Sequence, residues 1–191
     1  MVGSHYQICV SGAAKGDSVE QGKQLATEVG AEIARAGHSI LTGATTGLPD
    51  AAARGYKKAG GNMSLGISPA STKIEHVLKY RLPVDCYDAI LYTGMHYVGR
   101  DALLISSADA VVSIGGRIGT LHEFTIAIET KTPIGFLQGA GGISTEFKDL
   151  MTITHVNDDL VIFDTNPAKL IEKLTKLLDV LHAPYRDVYK D

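Results

Sequence analysis

The stretch Gly115-Gly116-Arg117-Ile118-Gly119-Thr120 closes an apolar run and leads at once into a helical pattern that carries Glu123. Glycines let the backbone approach a ligand closely. The start of a helix offers unpaired N–H groups and a partial positive charge. Together they make an anion site suited to a phosphate, to which Arg117 could add a bidentate contact. Thr120 would contribute its hydroxyl and its amide, and Glu123, one turn on, would point back toward the ligand. Thr120-x-x-Glu123 is also the spacing of a capping box, which alone accounts for both residues. Were Glu123 only a cap, replacing it would cost about 1 kcal/mol of stability and no activity. Arg100 has two readings as well. It is either a solvated surface arginine or, if strands four and five are neighbours, a cation meeting Glu123 over one cleft, with His96 and Tyr97 lining it.

Glycines gather at other predicted strand ends too. Strand one runs into Ser11-Gly12-Ala13-Ala14-Lys15-Gly16, strand two into Thr42-Gly43-Ala44-Thr45-Thr46-Gly47, and strand four into Thr93-Gly94-Met95. One such turn could be glycine-rich only because the chain bends sharply. Several on one sheet edge favour a ligand site, since open α/β sheets bind ligands beyond the carboxyl ends of their strands. The candidate phosphate-binding set is therefore Gly12, Ala13, Gly43, Thr46, Gly47, Gly94, Met95, Gly115, Gly116, Arg117, Ile118, Gly119 and Thr120. No Gly-Lys-Ser/Thr marks a Walker loop, and no Gly-x-Gly-x-x-Gly follows strand one, so an ordinary NAD site is disfavoured. There is no Gly-x-Ser-x-Gly elbow. No His, Asp or Glu set has metal spacing, and His122 reads as a helix-surface residue and not a ligand. Neither a metal nor a resident cofactor is expected.

The elements that must position these residues are legible. Strands are predicted at Tyr6–Gly12, Ser39–Gly43, Met63–Ile67, Ala89–Thr93, Ala110–Ile114, Ile134–Leu137 and Leu160–Phe163. Most are continuous Val/Ile/Leu runs, the pattern of strands buried on both faces of a parallel sheet. Helices are predicted at 18–36, 48–59, 98–107, 120–130, 144–151 and 167–181, with a short one around 74–79. Ser18 and Gln21 have capping-box spacing, and Gly37 is a stop. Asn166 is an N-cap before Pro167. The alternation predicts an α/β, Rossmann-like, doubly wound and mainly parallel sheet of about seven strands with helices on both faces, one domain over 1–191.

The 191 residues suffice for one real core. The chain is 45% hydrophobic and 20% charged with a formal net charge of −3, so no basic excess points to nucleic acid. Cys9 and Cys86 lie far apart with no disulfide framework. With neither a signal-peptide pattern nor a membrane-length apolar run, a cytoplasmic protein without membrane contact is expected.

Gly115 through Glu123 resembles the Pro-Gly-Gly-x-Gly-Thr-x-x-Glu signature of the LONELY GUY family, whose wider superfamily includes the molybdenum cofactor carrier proteins. Ile8–Gly16 resembles that family's first strand and loop, and Leu41–Leu48 its second glycine loop. The resemblance implies a homodimer or homotetramer and a nucleoside 5′-monophosphate phosphoribohydrolase, cleaving AMP-like nucleotides to base and ribose 5-phosphate. The family's functional arginine and glutamate match Arg100 and Glu123. A carboxylate near C1′ can stabilise an oxocarbenium-like transition state or position water. Three departures stand out: Gly115 replaces the signature proline, Arg117 its second glycine, and Asp101 a lysine. An anion at 101 is expected to weaken nucleotide binding, and the Gly99-Arg100 pair resembles the carrier branch. The alternative reading is a non-catalytic protein that binds or carries a nucleotide or the molybdenum cofactor.

Overall fold

The computed structural model describes residues 5–156, 159–186 and 188. Seven strands form one sheet: β1 (Gln7–Gly12), β2 (Ser39–Thr42), β3 (Ser64–Ser68), β4 (Ala89–Tyr92), β5 (Ala110–Ile114), β6 (Ile134–Leu137) and β7 (Val161–Asp164). Every pairing is parallel, in the order β4-β3-β2-β1-β5-β6-β7. Each predicted strand is present within a residue or so of its bounds. The chain direction of winding reverses between β1 and β5, the switch point where such sheets leave a crevice. Strands four and five, expected to be neighbours, are not: β4 is an edge, and β5 lies between β1 and β6.

Among the described residues six α-helices cover the sheet: α1 (Asp17–Arg35), α2 (Leu48–Lys58), α3 (His96–Ser106), α4 (Ile118–Glu129), α5 (Phe147–Thr154) and α6 (Pro167–Arg186). Strand side chains alternate between faces. Ile8, Val10, Ile40 and Ile114 pack with Val29 and Ile33 of α1 and Leu170, Leu174 and Leu178 of α6. Cys9, Leu41, Val111 and Phe136 pack on the other face with Leu104 and Ile105 of α3, Phe124 of α4 and Phe147 of α5. Ser11, Gly43 and Ser113 share the second parity, so the strand ends present them beneath α3 and α4.

Boundaries differ where loop chemistry governs. A 3-10 turn at Gly142–Thr145 precedes α5, which begins later than expected. The short segment at Glu75–Lys79 is a π-helical turn. Asn166 caps α6 as predicted, its Oδ1 accepting from Lys169 N–H at 3.0 Å. Ser18 and Gln21 form no capping box, because α1 starts at Asp17 behind Gly16 with no side-chain cap bond. Among the described residues no helix is long and apolar enough to cross a membrane.

Helices α1 and α2 approach until backbones touch. A Cβ at Gly30 would lie 1.8 Å from Ala52 O, and one at Gly55 would lie 2.1 Å from Thr27 O. Neither backbone can yield without separating the helices. Gly30→Ala is therefore expected to destabilise the chain by about 3 kcal/mol, read as a lower urea midpoint. An unchanged midpoint would show that the two helices are not locked at this distance.

Candidate functional site

The crossover from edge strand β4 to central strand β5 carries α3 across the face of the sheet, past β3 and β2 to α4. That path, and not strand adjacency, brings Arg100 to Glu123. Arg100 is not a solvated arginine, since only 3% of it is exposed. Its guanidinium lies against Gly43, where a Cβ would stand 2.1 Å from Nη1, so glycine 43 makes room for arginine 100. Nη1 is 3.4 Å from Asp101 Oδ1 and 3.8 Å from Glu123 Oε1. Among the described residues neither Nε nor Nη1, both occluded from solvent, has a hydrogen-bond partner. A buried guanidinium with unmade bonds is costly.

Glu123 is 9% exposed, and its Oε2 accepts a hydrogen bond from the Ser11 hydroxyl. The capping-box reading of Thr120 and Glu123 does not hold. Helix α4 begins at Ile118 with Arg117 at the N-cap and no side-chain cap bond, which places Thr120 inside the first turn and turns Glu123 toward β1. Burial pushes the Glu123 carboxyl up to about 7; Asp101 adds to the push, while the Ser11 hydroxyl and Arg100 oppose it. Asp101, the residue at the family's lysine position, is buried as well and accepts from His122 Nδ1 at 2.9 Å. It faces Arg100 and His122 and so partly spends its charge inside the protein.

These groups line a 220 Å3 cleft with Gly12, Ala13, Ala14, Thr45, Tyr97, Arg117, Gly119 and Thr120. The first-turn amides of Ile118, Gly119 and Thr120 have no partner within the helix and none outside it among the described residues; Leu121 N–H is the first to bond back, to Arg117 O. Nothing lies within 4 Å of where a Cβ of Gly119 would stand. The Ala13 amide, by contrast, reaches Ile114 O at 3.4 Å.

The other predicted residues fall beside the cleft. Thr46 donates to Ala14 O at 3.3 Å and lines an adjoining cavity. Gly47 packs on Ala13 and Ala14, and Gly116 on Thr120. Gly115 rests against Ser18 and Ala140, and Ile118 is 76% exposed. Gly94 and Met95 line neither cavity: the Gly94 amide donates to Ala70 O and that of Met95 to Thr93 Oγ1. Tyr97 reaches the cleft, whereas His96 bonds the Tyr80 hydroxyl. Sequence reasoning passed over Ser11, Thr45 and the buried role of Asp101. Only the pairing of β1 with β5, which sets Ser11 opposite Ser113, reveals the first. Among the described residues no group of three or more His, Cys, Asp or Glu could hold a metal ion.

Between pH 4.5 and about 7 the unfolded chain has released the Glu123 proton while the folded chain still holds it. Stability is therefore lost as pH rises through that window, by about 3 kcal/mol. Glu123→Gln removes this penalty. In urea unfolding the variant should exceed the native chain at pH 8 and match it near pH 4; an equal difference at both would contradict the buried carboxyl.

A model of the SLOG cluster4 family matches residues 5–171. An uncharacterized protein of Archaeoglobus fulgidus is 34% identical over 123 residues, 64% of this chain and 74% of that protein. The molybdenum cofactor carrier protein of Chlamydomonas reinhardtii is similar with a TM-score of 0.73 and 28% identity, over 90% of this chain and 97% of that one. Two further likenesses show the fold alone. The molybdenum cofactor binding protein of Rippkaea orientalis has a TM-score of 0.71 and 24% identity, over 90% and 96% of the two chains. DNA processing protein A of Helicobacter pylori has a TM-score of 0.61 and 15% identity, over 89% and 80%. The LONELY GUY resemblance thus reaches as far as the shared superfamily, and the chain belongs to the SLOG cluster4 family.

Proposed function

We propose that the cleft binds a nucleoside 5′-monophosphate and hydrolyses its N-glycosidic bond, giving free base and ribose 5-phosphate. The observation that carries this reading is the meeting, on the wall of one cleft, of a buried, near-neutral-pKa carboxyl, Glu123, and a buried arginine, Arg100. The first-turn amides of α4 and the Thr120 hydroxyl take the 5′-phosphate. Arg100, on the wall of the cleft, meets the phosphate or the ribose. Glu123 lies at C1′: ionised, it stabilises the developing oxocarbenium charge and receives a proton from the attacking water. The water oxygen bonds to C1′, the C1′–N bond breaks, and the leaving base takes up a proton from solvent, to which Glu123 later returns the one it received.

A second reading has its own support. The carrier protein of Chlamydomonas reinhardtii shares 28% identity over nearly its whole length, and Asp101 stands 3.4 Å from Arg100, tempering the cation. On this reading the same amides and Arg100 hold a phosphate-bearing nucleotide or the phosphate of a pterin cofactor, and no bond is broken.

Incubation with AMP, GMP, CMP and UMP, followed by chromatography, separates the two. The hydrolase reading expects free base from at least one nucleotide, with a rate that falls below pH 7 as Glu123 takes up its proton. Glu123→Gln should lower that rate at least 100-fold. No release at high enzyme concentration rejects hydrolysis, and tight binding indifferent to Glu123→Ala establishes the carrier.

A further inference from the structure

A cavity of 650 Å3 opens beside the inner cleft and shares Ala14, Thr45, Tyr97 and Arg117 with it. The inner space, at 220 Å3, is below the roughly 300–1,000 Å3 of ordinary small-molecule sites. A ligand anchored there must extend outward, and the outer space is basic. Its walls carry Lys15, Arg81 and Arg117, none of which pairs with a carboxylate among the described residues, besides Lys79, which Glu75 engages at 2.6 Å.

The Arg81 backbone is held at φ +55°. It follows Tyr80 at the end of the π-helical turn, where Leu82 N–H bonds back to His76 O at 3.1 Å. Glycine or asparagine is the usual residue at such a position, so an arginine here strains the backbone to present its side chain. The segment is also anchored. His76, fully buried, bonds Ser68 Oγ at 2.8 Å and Pro83 O at 3.0 Å, fixing Arg81 at the mouth. Tyr97 stands between the two spaces, edge-on to Tyr80 at 5.6 Å, and offers a flat surface to a base.

We infer that this outer cavity is a second anion subsite, and that the ligand is a nucleotide bearing another phosphate group beyond its 5′-phosphate. The inference rests on the reading of the inner cleft as a phosphate site. The 5′-phosphate sits on α4, the base or sugar passes Tyr97, and the second phosphate meets Lys15, Arg81 and Arg117.

Titration calorimetry of the intact chain with AMP and with adenosine 3′,5′-bisphosphate tests it. The bisphosphate should bind at least tenfold more tightly, with an excess that shrinks as salt rises. The double variant Lys15→Ala/Arg81→Asn should erase the excess and leave the AMP affinity within twofold. Asparagine accepts the left-handed backbone, and Lys15→Ala alone, in an exposed loop, should remove part of the excess if the double variant does not fold. Equal affinities, with AMP bound, overturn the outer subsite and leave the inner one standing. An excess that survives the substitutions overturns it too. Failure of both ligands to bind overturns the inner reading together with this one.

Discussion

The guanidinium of Arg100 is the constraint around which the site is arranged. It is buried with two carboxylates within 4 Å and two nitrogens unbonded. A cation in that position needs its charge matched and its N–H groups met. Asp101 and Glu123 supply the first requirement between them, and neither supplies the second. Much else accommodates this side chain. Gly43 has no Cβ because Nη1 occupies that space, and Ser11 holds Glu123 in place. His122 fixes Asp101 from the solvent side. Burial, with the neighbouring Asp101 second to it, explains why Glu123 ionises so late. A guanidinium on the wall of the cleft favours one class of guest, an anion, and the free amides at the start of α4 favour the same class.

The topology explains how distant residues meet. Helix α3 leaves an edge strand and must return to the middle of the sheet, so it crosses one face of the sheet with Arg100 at the carboxyl end of β2. The switch between β1 and β5 opens the crevice below it. Two loops from opposite sides of that switch, Gly12–Ala14 and Arg117–Thr120, form its lips. Strand parity decides which strand residues form the floor: Ser11 faces the crevice because Val10, before it, faces the core under α1.

The amino-acid order makes the elements legible and hides their neighbours. Short Val/Ile/Leu-rich runs such as Ala110–Ile114 read as strands buried on both faces, and most of the seven were recognisable on that ground. Arg100, Glu123 and the Gly119-Thr120 turn stood out by residue type and family likeness. Strand order is set by long crossovers that leave no local signature, so β4 and β5 were paired wrongly. Thr120-x-x-Glu123 looked like a cap because local spacing cannot report that Glu123 has a better partner, Ser11, more than a hundred positions away. Gly94 and Met95 resembled site residues because they too follow a strand, yet that strand is the far edge and their amides are spent on neighbouring turns.

A phosphate-like anion is the guest that Arg100 and the α4 amides would hold in the cleft. Side-by-side calorimetric titration of the intact chain with AMP and with adenosine tests it most directly, because the two differ only in the phosphate. The account predicts that AMP binds at least tenfold more tightly and that the gap narrows as ionic strength rises. Equal affinity for the two, at any salt concentration, would contradict it.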